Sequence, residues 1–244
     1  MKFESKNPAF KAFEKSYEKT QDVMTINGTI NKTLILLGVL FVTCIISWGI
    51  VASNPSLMIP FIIGGAIASF ILAMIIIFKA ELSPILAPIY AILEGFSLGA
   101  FSAYFEAQFS GIALQAFVVT IGIFVGMLIM YRTGVIKVTD KFKKTVIGLT
   151  FGILIIYLIS IIGNLIGYSV PYLHSNGLIG IGFSLFVVAI ASLNLALDFN
   201  FIEEGVQREA PKFMEWYGSF GLLVTIVWLY IEVLKLLAKL RGSD

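Results

Sequence analysis

Charged and metal-binding side chains are what this sequence has least of. Asp, Glu, Lys and Arg make up 13% of its 244 residues, against roughly 25% in soluble domains. Hydrophobic residues make up 58%, and mean hydropathy is +0.95. So little polar surface cannot cover a globule of this size, which excludes an ordinary soluble enzyme and a disordered chain. Cys44 is the only cysteine, so no internal disulfide and no cysteine-based metal or redox centre can form. His174 is the only histidine, which excludes zinc chemistry of the HExxH kind, built on several imidazoles. The net charge of +2 is too small for electrostatic recognition of nucleic acid.

What is there is a series of long apolar runs. They lie at 33–53, 58–79, 84–105, 112–131, 145–168, 177–202 and 216–238. Each is long enough to cross a hydrocarbon core of about 30 Å as a helix. The expected class is an all-α integral membrane protein with seven transmembrane helices. Residues 1–30 form a polar N-terminal segment and residues 31–244 the transmembrane domain. In the segment, Phe10, Phe13 and Tyr17 fall at helical spacing, so 8–20 reads as a short amphipathic helix at the membrane surface, with a purely solvated tail as the alternative. No apolar stretch opens the chain, so no cleaved signal peptide is expected. The third run opens at Pro84, and Pro88 falls in its first turn, where proline is tolerated.

Of the 17 Lys and Arg residues, all except Lys235, Lys239 and Arg241 fall on one side of this layout. The opposite loops (54–57, 106–111, 169–176) contain none. The positive-inside rule then puts the N-terminus in the cytoplasm. The basic run Lys137, Lys141, Lys143, Lys144 sits where it can touch anionic headgroups. Segment 203–215 reads as a charged cytoplasmic loop broken at Ala210-Pro211. Small residues let helix backbones approach in lipid. Gly95/Gly99, Gly122/Gly126, Gly148/Gly152 and Gly163/Gly167 are expected to serve packing within one chain, with a dimer face as the alternative.

Against this background Glu94, Asp198 and Glu232 stand out, because they fall inside apolar runs. An ionised acid at a helix centre costs roughly 2.5–3.5 kcal/mol on insertion scales. Keeping it neutral at pH 7 costs about 4 kcal/mol. Groups this expensive are there for function or for a pair. Lys235, three residues after Glu232, can meet it on one helix face. Asn194 precedes Asp198 by one turn, and Tyr90 and Ser97 flank Glu94 in the same way. Acids without matching bases point to shared protons or to a bound hard cation such as Ca²⁺, so Asp198, Glu232 and Glu94 are candidate Ca²⁺ ligands. Gly95-Phe-Ser97-Leu-Gly99 matches the G-x-S-x-G pattern, but in mid-helix and without a usable histidine it is not a nucleophile elbow.

Several stretches resemble one family. LEGFSLGAFSAYF (93–105), LALDFNFIEE (195–204) and WLYIEVLKLL (228–237) are similar to the third, sixth and seventh helices of the Bax inhibitor-1 (transmembrane Bax inhibitor motif) family. YRTGVIKVT (131–139) and APKFMEWYGSFGLLVTIVWLYIE (210–232) look like its prokaryotic YccA-like branch. The resemblance implies six helices surrounding a central C-terminal helix. It also implies a passive, pH-sensitive Ca²⁺ leak gated by a carboxylate pair, matched here by Asp198 and Glu232, and a third-helix glutamate matched by Glu94; Asn194, on the Asp198 face by its spacing, is read as polar lining of the same ion pathway. The sequence departs from the family in having Glu rather than Asp on the last helix and Lys235 where an asparagine is usual. It also has Asp198-Phe199-Asn200 in place of a DTQ-like stretch, and a longer loop before the last helix. Lys235 would modulate the pair by holding Glu232 ionised. No resident cofactor and no enzymatic activity are expected. The expected partners are the bilayer of a prokaryotic plasma membrane, Ca²⁺, protons and membrane proteins. Two other readings use the same features: a proton-coupled transporter of a small cation or solute, and a non-transporting regulator that binds protein partners.

Overall fold

A computed structural model describes residues 23–167 and 177–242. The expected helix at 8–20 and the loop residue His174 lie outside the described residues. Within them, seven long helices follow one another: α1 (Ile26–Ser53), α2 (Met58–Phe78), α3 (Ser83–Gln108), α4 (Ile112–Arg132), α5 (Asp140–Leu165), α6 (Leu178–Gln207) and α7 (Met214–Arg241). All are long and apolar enough to cross a membrane. The described residues form no strand beyond an isolated bridge between Val23 and Pro211.

The helices extend beyond the apolar runs where capping and polar turns allow it. Thr25 accepts a hydrogen bond from the Gly28 amide at 2.9 Å, so α1 begins at Ile26 and takes in the polar Asn27, Asn31 and Lys32. Thr139 caps α5 in the same way through the Phe142 amide, at 3.2 Å. Because α6 runs on to Gln207, Glu203 and Glu204 are helical rather than part of a loop. Pro88 lies beyond the first turn of α3, which begins at Ser83. Gly111 takes φ +78 between α3 and α4, a conformation glycine adopts without strain.

α7 is central, with half of its most apolar window buried. It packs most extensively on α1, α3, α4 and α6, and α5 reaches it through the Tyr157 hydroxyl on Glu232. α2 packs on α3, and α5 packs on α6, one layer further out. Only 11% of the α2 window is buried, and Ile59, Ile63, Ile67, Phe70 and Ile71 face outward. Such a surface is stable only with lipid as its solvent.

The glycine pairs divide into two kinds. A Cβ on Gly95 would lie 2.7 Å from the Leu40 carbonyl, and one on Gly99 would lie 2.9 Å from Ser47 Cβ, so α3 and α1 approach backbone to backbone. A Cβ on Gly122, Gly126, Gly148 or Gly152 would meet nothing within 4 Å. The Gly122/Gly126 and Gly148/Gly152 pairs therefore pack closely against none of the described residues, whereas Gly163 of the remaining pair is buried.

The face of the bundle that carries the N-terminus is tied shut. The Met24 amide donates to the Ala210 carbonyl at 2.8 Å, and Ser219 Oγ donates to the Thr29 carbonyl at 2.9 Å. Glu215, read from sequence as part of a charged loop, is fully buried in the first turn of α7. It accepts from the Thr25 amide and hydroxyl, each at 2.9 Å, and pairs with Lys32 and, at 3.4 Å, with Lys212. At the opposite face, the basic residues late in α7 are occupied. Lys239 donates to the Gly180 carbonyl and Ser184, and Arg241 donates to the Ser110 carbonyl and Gln115. Their exception to the charge asymmetry is thus answered by structural hydrogen bonds, with α7 unbroken from one face to the other.

Candidate functional site: the intramembrane carboxylates

The three acids occupy three separate interfaces. Glu94 sits between α3 and α2, where it accepts a hydrogen bond from Ser69. Its sequence neighbours serve packing: Ser97 Oγ donates to the Ile62 carbonyl at 3.0 Å, and Tyr90 stacks edge-on against Phe220, with ring centroids 5.0 Å apart. The Ser97 hydroxyl of the G-x-S-x-G match is thus bonded across to α2.

Asp198 lies between α6 and α7 and faces Gly221 and Thr225. A Cβ on Gly221 would be 3.9 Å from Asp198 Oδ1, so the absent side chain makes room for the carboxyl. Asp198 Oδ2 is the one buried side-chain polar atom among the described residues with no hydrogen-bond partner. Such orphans are rare in native structures, because an unpaired buried polar atom forfeits its hydration without return. Asn194, one turn earlier, points elsewhere: its amide donates to Thr150 on α5 at 2.8 Å and to the Ile190 carbonyl at 2.9 Å.

Glu232 lies further along α7 than Thr225, by about 10 Å of helix axis. It is 2% exposed. It accepts from the Tyr157 hydroxyl of α5 at 2.8 Å and pairs with Lys235 at 3.1 Å. The Lys235 ammonium also sits 5.1 Å from the centre of the Tyr157 ring. These groups edge a cavity of about 350 Å³ with aromatic walls, including Phe101, Phe105 and Phe183, and with Lys239 at its margin.

The structure therefore brings Glu232 and Lys235 together, as their spacing implied. It does not bring Asp198 to Glu232, nor either of them to Glu94. Among the described residues no three acidic, histidine or cysteine side chains converge in a way that could hold a metal ion. The expected Ca²⁺ ligand set of Asp198, Glu232 and Glu94 is not assembled, because each acid faces a different helix. Two participants were missed. Tyr157 lies in a run without charge, and a mid-span tyrosine hydroxyl that needs a partner was the available signal. Thr225 and Gly221 form a small-residue window on α7 that nothing in the local sequence assigns to Asp198.

The Bax inhibitor 1 like family matches residues 7–242. No curated protein and no solved structure matches the chain.

Proposed function

The chain belongs to the Bax inhibitor 1-like family, and on that premise we propose that it is a passive, pH-sensitive Ca²⁺ leak of a prokaryotic plasma membrane, with its N-terminus in the cytoplasm. The observation that carries this reading is the buried, unpartnered Oδ2 atom of Asp198 at the α6–α7 interface. The packed interface accommodates the neutral acid. The anion has no counter-ion there and draws in water or a cation, which loosens α6 from α7. Glu232, further along the same helix at an aromatic-walled cavity, offers carboxylate oxygens to a hard cation once Lys235 is displaced. The two acids thus act in series along α7, and an open state that shortens their separation would make them the pair that the family resemblance implies. Glu94 and Asn194 enter only if helices move, since both are committed to neighbouring helices here.

The test is Ca²⁺ entry into liposomes holding only this protein, with the pH stepped from acid to alkaline. The expected flux rises as protons are removed, and Asp198→Asn abolishes that response. No flux at any pH from folded protein overturns the reading in favour of a regulator that binds partners.

A further inference from the structure

α1 and α4 meet at Phe41 and Phe117, whose ring centroids are 6.0 Å apart. Towards the N-terminal face the two helices part and leave a cavity of about 310 Å³ between them. Ile30 and Leu34 form one wall and Phe124 and Leu128 the other, with Phe199 of α6 and Leu222 of α7 as the floor. Ile30 and Leu34 are 46% and 62% exposed, so the cleft is open sideways, where lipid lies.

The cleft's lining suits a hydrocarbon. Its two threonines spend their hydroxyls on their own helix: Thr29 donates to the Thr25 carbonyl and Thr33 to the Thr29 carbonyl, each at 2.9 Å. The Tyr131 hydroxyl is spent on Glu203. A polar solute would find few free partners along the walls. Left empty, the lining would lose the dispersion contacts that a chain of methylenes restores.

One cation and one acid, Arg132 and Glu203, sit at the end of the cleft on the N-terminal face. Arg132 ends α4 there, exposed and without an ion pair among the described residues. Exposed Lys137, Lys141 and Lys144 follow in the next connection and the first two turns of α5. Basic pockets between membrane helices on this face attract anionic headgroups. Glu203, the one acid of the cleft, has the Tyr131 hydroxyl donating to its carboxylate.

We propose that the α1–α4 cleft is a binding site for one anionic phospholipid of the leaflet on the N-terminal side, with an acyl chain between Leu34 and Leu128 and the phosphate at Arg132. The site rests on the cytoplasmic orientation proposed above and not on the Ca²⁺ leak, and its floor residues Phe199 and Leu222 adjoin Asp198 and Gly221.

The test reconstitutes the full chain in nanodiscs of equal phosphatidylglycerol and phosphatidylcholine, extracts it in mild detergent and counts retained lipid by native mass spectrometry. One phosphatidylglycerol is expected to remain, favoured about fivefold over phosphatidylcholine, which is what a basic side chain at a membrane surface contributes. Arg132→Gln should bring that preference close to parity. Leu34→Trp and Leu128→Trp each fill the cleft and should release the lipid, while Ile63→Trp, on the outward face of α2, should keep it. Thermal melting certifies that each variant is folded, and either tryptophan variant in the cleft suffices if the other is not. Wild type retaining no lipid, or retaining both lipids equally, overturns the proposal, as does a folded cleft variant that keeps its lipid.

Discussion

Lys32 of α1 and Glu215 of α7, 183 residues apart in the chain, form an ion pair in which the carboxylate is entirely buried. The pair does not stand alone. Thr25 adds an amide and a hydroxyl to the same carboxylate, Gly28 leaves space for it, and the Lys32 ammonium lies 5.6 Å from the centre of the Trp216 ring. The first turn of α1 is thereby fixed to the first turn of the central helix.

Breaking this pair from one side should be severe. Lys32→Met removes the nearer ammonium and leaves Glu215 with Thr25 and the more exposed Lys212. A buried charge left wholly alone costs about 3–5 kcal/mol; with Lys212 and Thr25 remaining the loss should be a part of that, read as a lower melting temperature of the purified protein. Lys32→Met with Glu215→Leu should recover much of the loss, because the charge that needed a partner is gone. A double variant no more stable than Lys32→Met alone would contradict the assignment.

The glycine pairs give a prediction by contrast. Gly95→Val places methyl groups against the Leu40 carbonyl and Thr43, and overpacking of this kind costs about 1–3 kcal/mol. Gly122→Val meets open space and should leave the melting temperature unchanged or raise it slightly, since glycine is a poor helix former. Equal losses at both positions would show that the α4 pair is packed against something, a second copy of the chain included.

Sequence pattern reached some of these features and not others, for physical reasons. Length and apolarity define a span independently of its neighbours, so all seven helices were legible, but polar turns lengthen them beyond the apolar runs, by seven residues at the start of α1 and five at the start of α5 and the end of α6. Glu232 and Lys235 were legible as a pair because helical spacing alone brings them together. The separation of Asp198 from Glu232 depends on the axial register of α6 against α7, and no periodicity within either helix encodes that. Glu215 was hidden for a related reason. It follows Arg208, Glu209 and Lys212 in a stretch that reads as solvated, and only the return of α1 buries it. The glycine spacing of α4 is the same as that of α3, and which pair faces a neighbour is decided by the rotation of each helix about its own axis.

If the proposed leak runs past Glu232, Lys235 is the group a cation must displace. Its ammonium is 3.1 Å from the carboxylate, and its side chain is 37% exposed while that of Glu232 is 2% exposed. The ammonium can therefore leave for solvent, whereas the carboxylate stays buried and needs another cation or a proton. Lys235→Asn should raise Ca²⁺ flux at a fixed pH by at least about twofold in the liposome assay. The Tyr157 hydroxyl still holds the carboxylate in place in that variant. A fall in flux would mean that Lys235 is needed to shape the cavity rather than to block it.

Asp198→Asn separates the cost of charge from the cost of shape. The amide matches the carboxyl in volume and carries no charge at any pH, so the α6–α7 interface should pack as it does around the neutral acid. In wild type, raising the pH favours the anion, and the anion has no counter-ion between Gly221 and Thr225. Wild-type melting temperature should therefore fall as the pH is raised, while that of Asp198→Asn should change much less over the same range. The same pair of proteins in liposomes should show a pH-dependent and a pH-independent flux, respectively. The two readouts are linked, because the alkaline instability is the release of α6 from α7 that the flux requires. If the substitution flattens the flux response but leaves the melting response intact, the proton that controls conduction sits on Asp198 while another group controls packing, and opening does not proceed by loosening this interface.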